Sequence, residues 1–166
     1  MAVTEAMTAQ GWAVVLVDQP WRLAGRKVAT RPPTLDDAWV PIVSSLLSGR
    51  GALPGPLVVG GRSAGARVAC RTAEQLHADG VLCLAFPLHP PGKPELSRAD
   101  ELRRPIEAGI PTHVIQGARD PFGTPGEVRA ELPDPAYVTG AKGTHSFGRA
   151  PADVVAAARS FLDQLA

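Results

Sequence analysis

Gly61-Arg62-Ser63-Ala64-Gly65 is a Gly-x-Ser-x-Gly sequence. Three fixed residues in five recur by chance in many chains, so the flanks decide its meaning. A β-branched run, Pro56-Leu57-Val58-Val59-Gly60, leads directly into it, and a stretch with helical periodicity leads directly out. That context is what a nucleophile elbow requires: a serine on a sharp strand-to-helix turn, small residues on either side, and a helix N-terminus whose free N–H groups can face a developing oxyanion. A serine hydroxyl is a poor nucleophile without a base, and the base needs a carboxylate to orient it. The chain supplies candidates in the order Ser, Asp, His. Asp120 follows an apolar run in Gln116-Gly117-Ala118-Arg119-Asp120-Pro121, and His145 lies in Gly143-Thr144-His145-Ser146-Phe147. The expected roles are Ser63 as nucleophile, His145 as general base and then acid, Asp120 as the orienting carboxylate, and the Ala64 N–H as one oxyanion donor. Taken singly, each has a plainer reading: Ser63 a turn residue, Asp120 an Asx turn, His145 a solvated loop histidine. Their order and their positions at strand ends favour the joint reading.

Other candidates are weaker. Asp18 ends an apolar run and rivals Asp120 as the carboxylate. Arg62, beside the serine, and His89, after the third strand, are candidate substrate-binding residues. His77 is expected on an exposed helix face and His113 at a packed strand start. Arg62 stands where a dinucleotide-binding turn needs its second glycine, and no Gly-Lys-Ser/Thr follows, so nucleotide loops fail. Cys70, His77, Cys83 and His89 are too scattered for a zinc site. Neither a metal nor a cofactor is expected.

To position these residues, the chain alternates short apolar runs with helical stretches. Strands are expected at 13–18, 56–60, 81–86, 112–116 and near 136–138. Helices are expected from Thr34, as N-cap, to about Gly49; through Arg67 and Leu76 toward Gly80; from Ser97 to Ala108; and from about Pro151 to Leu165. Continuous rather than alternating apolar strands argue for a parallel sheet covered on both faces. The fold class is thus α/β: a doubly wound, mostly parallel sheet of about five strands with helices on both faces, in a single domain over 1–166. Open sheets of this kind place their sites at the carboxyl ends of the strands, where Ser63, Asp120 and His145 fall. Residues 87–105 are the one lid-like stretch.

Composition narrows the function classes. The 166 residues carry 17 basic and 16 acidic side chains, for a net charge of +1, so there is no electrostatic footprint for nucleic acid. Gly and Pro, 17 each, are spread along the chain as turns. No apolar run approaches the ~20 residues of a membrane span. Cys70 and Cys83 form no disulfide framework and fit a reducing compartment or core packing. With no signal-peptide pattern at its start, the chain is expected in the cytoplasm. Expected partners are a small-molecule acyl substrate, no nucleic acid and no membrane; an exposed sheet edge would suit a homodimer.

The chain resembles the α/β-hydrolase superfamily, and within it the dienelactone-hydrolase-like branch that includes the NSL-complex-subunit-3-like predicted hydrolases. The residues that carry the resemblance are Val17-Asp18-Gln19-Pro20-Trp21-Arg22 with Gly25-Arg26-Lys27, Gly60 to Arg67, Phe86 to Lys93, and Gln116 to Gly123. The resemblance implies a hydrolase fold and a Ser-Asp-His site. Dienelactone hydrolases proper carry Cys in the elbow; Ser63 stands there here, so their substrate class does not transfer. It also implies a strand and a His-Gly-type loop before the first helix, the loop giving a second oxyanion N–H. Nothing before Ala13 reads as that strand. Three consequences are expected as alternatives: a later start than the natural one, direct pairing of 13–18 with 56–60, or a partner chain in the gap. Loss of one oxyanion donor would cost ~10²–10³ in rate. The function expected is a serine hydrolase of an ester, thioester or related acyl bond; the alternatives are a non-catalytic interaction protein on a hydrolase scaffold and a small-molecule carrier.

Overall fold

Val81-Leu82-Cys83-Leu84 and Val114-Ile115 are apolar without alternation, as a strand covered on both faces must be, and they form the centre of a four-stranded sheet. The computed structural model describes residues 2–26, 31–48, 55–148 and 151–165. The strands are β1 (Val58–Arg62), β2 (Gly80–Leu84), β3 (Thr112–Gly117) and β4 (Val138–Ala141), in the order β1-β2-β3-β4 and all parallel. The helices are α1 (Ala2–Thr8), α2 (Pro20–Leu23), α3 (Pro32–Ser48), α4 (Ala64–Thr72), α5 (Ala99–Glu107), α6 (Pro125–Ala130) and α7 (Ala152–Leu162). Each strand joins the next through one of α4, α5 and α6, as parallel pairing demands.

The sheet separates two apolar layers. On one face α3, α4 and α5 enclose Val59, Val81, Cys83, Val114 and Leu102. On the other, α1 and α7 enclose Leu82, Ile115, Met7, Val154 and Phe161. Odd and even residues of β2 therefore point into different layers, which explains why the run could not alternate. Cys70 and Cys83 are buried free thiols with their Sγ atoms 3.3 Å apart in the first layer. The hydrogen bond with Cys83, and burial after it, push the Cys70 thiol well above its usual range.

The doubly wound α/β architecture stands, with four strands among the described residues in place of about five. The run at 13–18 is not a strand. It forms no backbone hydrogen bond to any described residue, and Val14, Val15 and Leu16 are 38%, 47% and 70% exposed. A strand needs a neighbouring backbone to pair with, and no described residue pairs with it. Its direct pairing with β1 does not occur. Other shifts are small. Strand β1 starts two residues late, because Leu57 N–H bonds the Asp79 carboxylate instead of a strand. Helix α3 begins at Pro32, so Thr34 is not its cap; proline suits a first turn, where its missing N–H costs nothing. The expected stop at Gly49 lies outside the described residues. Helix α4 ends at Thr72, and β4 starts after a 3₁₀ turn at Pro135–Tyr137. Helices α1, α2 and α6 were not expected. Among the described residues, no helix is long and apolar enough to cross a membrane.

Candidate active site

Ser63 joins β1 to α4 with φ 55° and ψ −115°. A non-glycine residue there is strained by ~1–3 kcal/mol and persists only where its surroundings fix it. They do. Ser63 N–H donates to the Leu84 carbonyl on β2, and Ser63 O accepts from Arg67 N–H, opening α4. The tightness of the turn explains Gly61: a Cβ there would lie 2.8 Å from the carbonyl carbon of Gly65. Gly65 is different, since its own Cβ would meet nothing within 4 Å. The small-residue requirement therefore falls on the position two before the serine. The Ala64, Gly65 and Ala66 N–H groups precede the first intrahelical bond, so the helix N-terminus offers unpaired donors beside Ser63.

Asp120 and His145 come together. His145 Nδ1 lies 2.7 Å from Asp120 Oδ2, and the Asp120 side chain is fully buried. The other oxygen, Oδ1, accepts from Phe122 N–H at 2.9 Å. The Gln116 amide donates to Oδ2 at 3.1 Å and to the Gly123 and Phe86 carbonyls. The carboxylate is thus pinned from three sides, and the Phe122 ring stacks obliquely on the imidazole at 4.5 Å between centroids. The two loops are tied by their backbones: Ala118 N–H donates to Ala141 O and Arg119 N–H to Gly143 O. Gly117 makes that approach feasible, because a methyl there would overlap the Thr144 carbonyl.

His145 Nε2 is buried and has no hydrogen-bond partner, and no hydrogen bond joins it to Ser63. The segments carrying the two residues meet: Arg62 and Ser146, their sequence neighbours, line one cavity. Paired by Nδ1 to a carboxylate, the ring is held with Nε2 free to take a proton.

The remaining candidates fall elsewhere. Asp18 is exposed and lies 3.5 Å from Arg22, so the carboxylate beside His145 is Asp120. Arg62 is exposed and pairs with no described carboxylate. His89 is buried behind the Asp120 loop, its N–H on Phe122 O and its Nδ1 3.0 Å from Pro90 O. It backs that loop and does not line the cavity beside Arg62. His77 is exposed, and His113 packs on Phe161 with ring centroids 5.6 Å apart. Within 87–105, Pro87, Leu88 and His89 are buried, leaving 91–97 as the exposed stretch. Sequence reasoning missed the supports Gln116, Gly117 and Phe122. A signal existed: a glutamine closing an otherwise apolar buried strand needs polar partners.

No curated protein matches the chain. A crystal structure from Xanthomonas campestris pv. campestris, of a protein assigned to the alpha/beta hydrolase superfamily, superposes with a TM-score of 0.63 at 18% identity, covering 99% of this chain and 87% of that one. That likeness is one of fold. The family model of an alpha/beta hydrolase domain matches residues 1–160. With the strained serine turn, the parallel sheet and a match over nearly its whole length, the chain belongs to the alpha/beta hydrolase family.

Proposed function

We propose that the chain is a serine hydrolase acting on an ester, thioester or related acyl bond. The observation that carries the reading is the pairing of the two strand-end devices: a serine at φ 55° opening a helix, and a histidine 2.7 Å from a buried carboxylate with its other nitrogen unpartnered. In this reading His145 Nε2 takes the Ser63 hydroxyl proton as Oγ attacks the acyl carbon. Asp120 holds the ring and stabilises the imidazolium. The Ala64 N–H faces the oxyanion. Collapse expels the alcohol or thiol, which takes the proton from His145, and leaves the acyl group on Ser63. A water molecule, deprotonated by His145, then releases the acid. No step calls on a metal or cofactor.

A non-catalytic scaffold is the second reading, favoured by one specific observation: no hydrogen bond links Ser63 to His145. Fluorophosphonate labelling, read by intact mass, separates the two. The hydrolase reading expects one adduct on the chain, none on Ser63→Ala, and a much slower adduct on His145→Ala. An unlabelled, folded wild-type chain would overturn it in favour of the scaffold.

A further inference from the structure

The imidazole of His145 is held along one edge by Asp120, and its other nitrogen, Nε2, has no partner. Its flat side meets Phe122. The ring centroids are 4.5 Å apart and the planes 36° from parallel, so the imidazole lies over the benzene face; an edge contact would need planes nearly perpendicular. That face carries the negative part of the ring quadrupole, and a cation within ~6 Å of the centroid is attracted to it. The backbone fixes where the ring stands. Phe122 N–H donates to Asp120 Oδ1 at 2.9 Å, and Phe122 O accepts from His89 N–H at 3.1 Å. The next residue, Gly123, has φ 132°, and a Cβ there would lie 2.9 Å from Leu88 Cβ, so the loop is pressed against the segment that follows β2.

We infer that Phe122 is a positioning residue for the proposed base: its ring face stabilises the imidazolium of His145 over the neutral imidazole. The consequence for catalysis rests on the hydrolase reading, in which His145 becomes an imidazolium as Ser63 Oγ attacks. Only an interaction stronger in that state than in the ground state speeds the step. Asp120 supplies one such interaction in the plane of the imidazole. Phe122 supplies a second across its face, which leaves the Nε2 edge for the serine hydroxyl. Among the described residues, Asp120 is the one charged group within ion-pair reach of His145. Arg119 and Lys142, the cations of the same two loops, are exposed, as is Arg62 beside Ser63. The His89 ring faces Glu127 at 3.5 Å instead.

The test replaces Phe122 in the full chain by mono-, di- and trifluorinated phenylalanines, which keep the ring's shape while drawing charge off its face. The His145 ring protons, identified by their loss in His145→Ala, are titrated by NMR, and fluorophosphonate labelling is timed in parallel. The His145 midpoint should move to lower pH with each added fluorine. Labelling on its alkaline plateau should slow to about a fifth of the wild-type rate in the trifluorinated chain. Phe122→Leu, which keeps apolar bulk and both backbone bonds, should match the trifluorinated chain. Phe122→Tyr, with an equally electron-rich face, should keep the wild-type midpoint. A midpoint that ignores fluorination overturns the inference, as does Phe122→Leu titrating like wild type, because the ring then only packs. Labelling that keeps the wild-type rate in every fluorinated chain would remove Phe122 from the reaction. The midpoint is read on the folded chain whether or not it reacts, so the two readings fail separately. An unlabelled wild type whose midpoint follows fluorination would leave the stacking established and sink the hydrolase reading alone.

Discussion

Ser63 carries strain that a glycine would not, and the strain yields two opposite expectations. Replacing Ser63 by glycine lets the backbone adopt φ 55° without a Cβ penalty. The folded chain should gain about 1 kcal/mol in urea unfolding while losing fluorophosphonate labelling. Replacing Gly61 by alanine costs stability instead. Its methyl would sit 2.8 Å from the Gly65 carbonyl carbon, against backbone that cannot swing aside. A loss of about 3 kcal/mol is expected, with labelling lost in proportion as the turn shifts. The carboxylate makes the sharpest residue-scale case for the proposed chemistry. Asp120→Asn keeps the side-chain shape but favours the wrong imidazole tautomer. On the proposed mechanism it should lower the acylation rate by about 10⁴, and it should cost about 1–3 kcal/mol in urea unfolding because the new NH2 group faces a buried donor. A drop of less than tenfold would show that Asp120 does not orient the base.

At the scale of elements, the sequence was most legible where one segment answers to local rules. Strands β2 and β3 were readable because an unbroken apolar run between turns has few other solutions. Helix α7 was readable from its periodicity. The elbow and the Asp and His loops were placed because each follows a strand end. Long-range supply was not legible. Val14, Val15 and Leu16 have every local mark of a strand, yet strand formation depends on a neighbour that only the whole fold provides. Helix α6 could have been found: Thr124 and Glu127 form a capping box with Pro125 at the first position, a signal present in the sequence. The supports of the His145–Asp120 pair were harder to read: Gln116 also holds the Phe86 carbonyl, and Gly117 passes the Thr144 carbonyl, each from a loop distant in sequence. One element-scale prediction follows from the α7–sheet contact. His113 lies on β3 with Nε2 2.9 Å from the Thr139 hydroxyl and its ring stacked on Phe161. Burial lowers its pKa below the ordinary 6.5. The folded state therefore binds a proton less readily than the unfolded state. The resulting stability is complete above pH 6.5 and falls as pH drops below it. His113→Phe should flatten that part of the decline between pH 7.5 and 5, measured by urea midpoints at both ends.

At the scale of the molecule, the helical layer on the elbow side is held by charge as well as by apolar contact. Arg71 on α4 forks onto Asp36 of α3 at 2.7 and 2.6 Å and reaches Glu101 of α5 at 2.8 Å. Arg67, one turn earlier on α4, forks onto the same Glu101 at 2.8 and 2.6 Å. Four side chains thus tie three helices together, and α4 is the helix that begins at Ser63. The Arg71 side chain is only 7% exposed and that of Glu101 17%, so the network lies between a surface pair and a buried one. Removing Glu101 leaves two guanidinium groups short of an acceptor. An interior pair broken this way costs ~3–5 kcal/mol and an exposed one under ~1, so about 2 kcal/mol is expected for Glu101→Gln at pH 7. The pH dependence identifies the cause. Burial alone would raise the Glu101 carboxyl, but Arg67 and Arg71 outweigh it and hold it below its usual 4.5. Stability from this group is fully present above pH 4.5 and drains as pH falls through the lower folded value. Wild type and Glu101→Gln should therefore differ most at neutral pH and converge in acid. A gap that stayed constant from pH 7 to pH 3 would mean that the glutamate acts by shape and not by charge. Because α4 carries the serine turn, the neutral-pH loss should appear twice, once in the unfolding midpoint and once as faster amide exchange in the first turn after Ser63.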